Sequence, residues 1–89
     1  MKFFFSMKIS ELYNIFKQFP KVITDSRNVF KDSLFFALKG ENFNGNEYAN
    51  DAIKKGCKYA IIDEAKYKLN EYYILVDNVL TFWSNYVSI

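Results

Sequence analysis

The chain has 89 residues, 51% of them hydrophobic and 20% aromatic, which fits one domain with a real core and excludes global disorder. Its net charge of +2 is small and scattered, with seven basic and three acidic groups in residues 1–40 and five and seven in residues 41–89, so nothing points to nucleic acid. One cysteine, Cys57, and no histidine exclude an internal disulfide and any Ser–His or Cys–His nucleophilic pair, and leave no cluster suited to a transition metal.

Residues 1–6 contain an apolar run of only three, Phe3 to Phe5, against the ~7–15 of a signal sequence. They read as an N-terminal extension, with the fold beginning at Met7. No stretch approaches a membrane span, and the expected location is cytoplasmic. Ser10 can cap a helix whose buried stripe is Leu12, Ile15, Phe16 and Phe19, stopped by Pro20. Val22 to Thr24 is β-prone, and Asp25 to Ser33 is a polar turn region. Leu34 to Leu38 has the continuous apolar character of a buried strand. Lys39 to Asn46 is a loop with two of the three glycines. Asn46 can cap a helix from Glu47 to about Lys55, with Tyr48, Ala49, Ala52 and Ile53 on its apolar side and Gly56 at its left-handed end. Tyr59 to Ile62 and Tyr72 to Val76 read as further strands, and Cys57 as core. Asp77 or Asn78 can cap a last segment. The order predicts an α/β fold: a small mixed or parallel sheet of four to five strands flanked by helices, with a right-handed βαβ crossover from Leu34 to Ile62.

In such sheets ligands sit beyond the carboxyl ends of the strands. Two polar loops would meet there, Asp25–Ser33 and Lys39–Asn46. Ser26 offers a hydroxyl, Arg27 a planar fork, Lys39 a point charge, and Asn42 and Asn44 amides, while Phe43 can lie against a ring. Arg27 is the only arginine among twelve basic residues, and a fork suits a phosphate or carboxylate better than an ammonium does. The plainer readings are an Asx turn at Asp25, a surface ion pair from Arg27 to Asp32 or Glu41, and a core role for Phe43. Neither G-x-x-x-x-G-K-[ST] nor G-x-G-x-x-G is present, and Asp63-Glu64 reads as a solvated pair, so no catalytic constellation emerges.

The run from Ile23 through TDSR, LFFALKG, NGN and the hydrophobic YAIIDE strand resembles the N-terminal domain of the Mur ligases. Those enzymes extend the peptide of the cell-wall precursor. Their pattern is a D-S-R triplet, a G-D-L-F-x-A-L-K-G-like strand, a D-G-H-like turn, an Ala-rich helix and K-G-A before a strand. Within the family the branch that adds D-alanyl-D-alanine to a tripeptide looks closest, and the branch that adds the third amino acid comes second. The resemblance implies binding of the UDP part of a UDP-N-acetylmuramoyl-peptide over residues 7–80. Its site residues would be Thr24, Ser26, Arg27, Lys39, Gly40, Asn42, Phe43 and Asn44, with Ser26 near phosphate or ribose and residues 42–44 bordering the uracil. Arg27 would either bind or brace.

This chain departs from the pattern at Asp32-Ser33, where the family has Gly-Asp, and at Asn44 and Asn46, which replace Asp and His. Residues 81–89 read as an atypical tail where a linker to an ATP-binding domain would begin. The resemblance implies no cofactor in this chain, and ATP with Mg2+ for the full-length ligase. On this reading the chain is a truncated ligase, inactive alone. The alternative is a non-catalytic interaction module that has kept the fold without the ligand. Its tail aromatics Phe82, Trp83 and Tyr86 would then dock a partner such as the missing ligase domains.

Overall fold

The computed structural model describes residues 21–87, together with Asn14, Lys17 and Gln18, which are helical and exposed. The extension at residues 1–6 and the apolar stripe of the first expected helix lie outside the described residues. Four short strands form a parallel sheet: β1 (Val22–Ile23), β2 (Leu34–Phe36), β5 (Tyr59–Ile62) and β6 (Tyr73–Leu75), in the order β1-β2-β5-β6. Between β2 and β5 the chain makes an antiparallel hairpin of β3 (Lys39–Gly40) and β4 (Phe43–Asn44). A 3₁₀ turn, Gly45–Tyr48, then leads into helix α1, Ala49–Lys54. A second 3₁₀ turn spans Ala65–Tyr67, and helix α2 spans Val79–Val87.

The strands are apolar throughout because both faces of the sheet are covered. Side chains alternate between two clusters. Phe35, Ala37, Ala60, Ile62, Tyr73 and Leu75 face α1, where Ala49 and Ala52 let the helix sit close. Leu34, Phe36, Ile61, Ile74 and Val76 face α2, meeting Val79, Phe82 and Trp83. Burying each large apolar side chain contributes roughly 1.5–3 kcal/mol. A six-residue helix would not persist alone, so α1 owes its existence to this packing. The α/β class and the parallel strand pairs agree with the sequence reading.

One cap differs from it. Asn44 rather than Asn46 caps the 3₁₀ turn that leads into α1, and α1 itself has no side-chain cap: Asn44 is extended at φ −123°, ψ 105°, and its Oδ1 accepts from the Asn46 backbone N–H at 3.0 Å. Residues 81–87 lie in α2, where Val79, Phe82 and Trp83 fall on one helical face against the sheet. Of the two candidate caps for this segment, Asn78 serves: its Oδ1 accepts from Thr81 N at 3.0 Å.

Two backbone positions carry particular constraint. A Cβ at Gly45 would lie 2.5 Å from the Leu38 carbonyl oxygen and 2.8 Å from the Leu38 nitrogen. Asp32 has φ 61°, left-handed, at the position where the family pattern has glycine. Gly45→Ala is expected to cost about 2–3 kcal/mol, since the wall it meets is backbone and cannot yield cheaply. Asp32→Val should cost about 1–2 kcal/mol, whereas Asp32→Gly should cost nothing measurable. Urea midpoints of the three variants check both statements.

Candidate functional site

Because β1 and β2 are parallel neighbours, the loops that follow them emerge on the same rim. There they border two adjoining concavities. The first, about 510 Å³, is lined by Thr24, Asp25, Ser26, Arg27, Phe43 and Tyr48. The second, about 260 Å³, is lined by the hairpin residues Lys39 to Asn44 with Glu47 and Tyr48. All eight residues singled out from the sequence line one or the other. Phe43 and Tyr48 line both.

The first loop is a tight, self-braced turn. Asn28 N–H donates to the Asp25 carbonyl at 3.1 Å, and Arg27 N–H donates to Asp25 Oδ1 at 2.9 Å, an Asx turn. The Arg27 guanidinium closes the same ring from outside, Nε to Oδ1 at 3.0 Å and Nη2 to Oδ2 at 2.8 Å. Its partner is thus Asp25, not Asp32 or Glu41. Arg27 braces the loop while its side chain stays 84% exposed. From behind, Lys55 at the end of α1 donates to the Ser26 carbonyl at 3.1 Å. This frame holds Ser26, which is only 6% exposed. Its hydroxyl makes no hydrogen bond with the described residues. Since no side-chain polar atom among them is both sealed from solvent and unpartnered, that hydroxyl opens onto the cleft.

The second loop is held differently. Lys39 Nζ lies 2.9 Å from Glu64 and 3.4 Å from Asp63. Glu64 also accepts from Asn44 Nδ2 at 2.8 Å. Lys39 and then Asn44 hold the Glu64 carboxyl below its usual range, and Glu64 in turn raises Lys39. Asn44 Oδ1 receives both Asn46 donors, so both ends of its amide are committed inside the protein. Asn46, 1% exposed, goes on to donate to Asp63 Oδ1 at 3.0 Å and to accept from Asp63 N–H at 3.0 Å. Asp63 and Glu64 are therefore structural partners of the hairpin, not the solvated pair that adjacency suggested. Cys57 is buried core, its thiol raised by burial beside Ser33.

Phe43 is not core. It is 47% exposed and stacks on Tyr48, itself 41% exposed, with centroids 5.2 Å apart and planes within 10°. Tyr48 escaped the sequence reading because a cap at Asn46 puts it on the buried side of a helix. The cap at Asn44 and the 3₁₀ turn rotate it outward; the Asn44-Gly45 pair was the available signal. Among the described residues no three His, Cys, Asp or Glu side chains gather to hold a metal ion. Also among the described residues, no helix is long and apolar enough to cross a membrane.

The brace around Asp25 has a measurable signature. Hydrogen bonds from the Arg27 guanidinium, then its backbone N–H, pull the Asp25 carboxyl from an ordinary 3.8 to about 2. A folded value below the unfolded one makes the contribution present above about 3.8 and lost as pH falls through about 2. A carbon-detected titration should find the Asp25 midpoint near 2, and Arg27→Gln should return it toward 3.8 while leaving Glu64 in place.

Residues 20–81 match the family described as "Mur ligase family, catalytic domain". The UDP-N-acetylmuramoyl-L-alanyl-D-glutamate–2,6-diaminopimelate ligase of Rickettsia typhi is 38% identical over 56 residues, covering 63% of this chain and 11% of that protein. The UDP-N-acetylmuramoyl-tripeptide–D-alanyl-D-alanine ligase of Haemophilus influenzae is 38% identical over 47 residues, covering 53% and 10%. The chain thus spans only about a tenth of the length of these relatives. Among solved structures, the MurF ligase of Thermotoga maritima in complex with ADP superposes with a TM-score of 0.65 at 21% identity, over 73% of this chain and 15% of that one. With the family matched across most of the sheet and both rim loops, and the same fold found in a solved ligase, this chain belongs to the Mur ligase family.

Proposed function

We propose that this unit binds the UDP part of a UDP-N-acetylmuramoyl-peptide, as the N-terminal domain of an ATP-dependent ligase of peptidoglycan precursor synthesis. The observation that carries the reading is Ser26: a residue only 6% exposed whose hydroxyl, without a partner among the described residues, opens onto the larger cleft. A hydroxyl with no protein partner at the wall of a cleft is free to donate to, or accept from, a group that enters. The cleft volume falls within the range of about 300–1,000 Å³ usual for small-molecule sites.

The charged linings of the two concavities differ modestly. Arg27, paired with Asp25, borders the first, with Lys55 bound behind it, and Lys39 borders the second together with Glu41 and Glu47. A diphosphate belongs with the first and the uncharged base with the second. Thr24 and Ser26 then lie toward phosphate or ribose, and Gly40, Asn42 and Phe43 toward the base. Lys39 and Asn44 shape the hairpin through Glu64 and contribute to the ligand through its position. ATP and Mg2+ would act on further domains of the full-length ligase, which are also the natural protein partners.

Titrating UDP into the labelled chain should shift amides of Thr24 to Asn28 and of Lys39 to Asn44. Ser26→Ala should weaken binding about tenfold, the loss of one hydrogen bond to a charged group. Unmoved amides in both loops at millimolar UDP would remove the proposal.

A further inference from the structure

We propose that Tyr48 is a positioning residue of this site, holding the Phe43 ring as the platform on which the ligand's base stacks. The inference rests on the UDP-binding reading and adds a residue and a role to it. The two rings are nearly parallel at 5.2 Å, and together they form the ridge between the concavities, since both line both. Tyr48 packs in an offset stack against one face of Phe43, and 47% of Phe43 remains exposed.

The backbone between the rings is fixed. Asn44 is held to Glu64, Gly45 is seated against the Leu38 backbone, and Asn46 is locked to Asp63. Phe43 and Tyr48 thus project from the two ends of a rigid segment, and each limits the rotamers of the other. A free Phe43 ring would have to lose its side-chain freedom on binding; the stacked ring has already lost it. Recognition through the Asn44 amide is restricted, because both of its ends are occupied within the protein. The π face of Phe43, beside the Asn42 amide, is the apolar surface the hairpin offers a nucleobase, and base–aromatic stacking is a sequence-tolerant, substantial contribution.

The test uses the full 89-residue chain and UDP as probe. In the wild type, nuclear Overhauser contacts are expected between Phe43 ring protons and uracil H5 and H6. Tyr48→Phe should keep those contacts and bind UDP within about twofold of wild type. Tyr48→Leu, which keeps bulk but removes the ring, should lose them and bind roughly five- to tenfold more weakly. Tyr48→Ala should behave like Tyr48→Leu. Thermal midpoints identify any variant that fails to fold, and the remaining one then carries the comparison. Equal UDP affinity in wild type and Tyr48→Leu, or uracil contacts absent from Phe43, would overturn the role of Tyr48 while leaving UDP binding intact. Absence of any UDP shift in the wild type would overturn both this role and the reading beneath it.

Discussion

The buried amide of Asn46 is the constraint on which the rim of this domain depends. It reads the backbone and the carboxylate of Asp63 with its two ends and shares Asn44 Oδ1 with its own N–H. An amide is suited to this place because it carries a donor and an acceptor on one rigid plane. Inside a protein such a bond is strong and its loss is costly, since a stranded buried partner forfeits its hydration as well. From Asn46 the network runs outward, through Asn44 to Glu64 and Lys39, and through Asp63 Oδ2 to Val79 N–H at 3.1 Å. The hairpin, the end of β5 and the start of α2 are thereby one polar unit.

This network explains two departures from the family pattern together. Aspartate is usual where Asn44 stands, and histidine where Asn46 stands. A carboxylate at position 44 could accept from the Asn46 donors but could not donate to Glu64; it would face it as a like charge. The Asn44 amide keeps the acceptor and supplies the donor, at 2.8 Å. Asn46 then matches it by offering a donor to Asn44 and to Asp63 from one nitrogen. The third departure is of another kind. At Asp32 the chain keeps the left-handed backbone that glycine would adopt freely, and uses one of the few side chains that tolerate it.

The four strands of the parallel sheet were legible because each lies in an unbroken apolar run between polar segments, the mark of a sheet covered on both faces, whereas the polar β3–β4 hairpin read as a loop. Parallel order followed from the spacing of Leu34 to Ile62, and the meeting of the two loops followed from the parallel order. What composition could not decide was which asparagine caps the turn that leads into the helix. Asn44 and Asn46 are equivalent by residue type. Only the buried demand of Asp63 for a partner takes Asn46 inward and leaves the cap to Asn44. That two-residue change alters what Tyr48 faces. Arg27 shows the same limit at closer range. Its partner lies two residues back, where a linear reading looks for no contact, because the Asx turn folds Asp25 beneath it. Asp63 and Glu64 looked solvated for the same reason: the hairpin that covers them is distant in sequence.

The sharing of Asp63 ties the site to the helix that follows it. One carboxylate oxygen accepts from Asn46, and the other accepts from the first N–H of α2, where a negative charge also meets the positive end of the helix. On the opposite side, Val79, Phe82 and Trp83 seat α2 on the sheet through Phe36, whose ring meets Trp83 edge-on at 5.2 Å. Phe36 belongs to β2, the strand that delivers the hairpin. The hairpin and α2 thus meet twice, once through a polar bridge at the rim and once through the strand beneath it. A displacement of the hairpin large enough to move Asn46 must break its bonds to Asp63 or carry the α2 N-terminus along. The geometry of the rim and the direction in which α2 leaves the sheet are for this reason a single structural quantity.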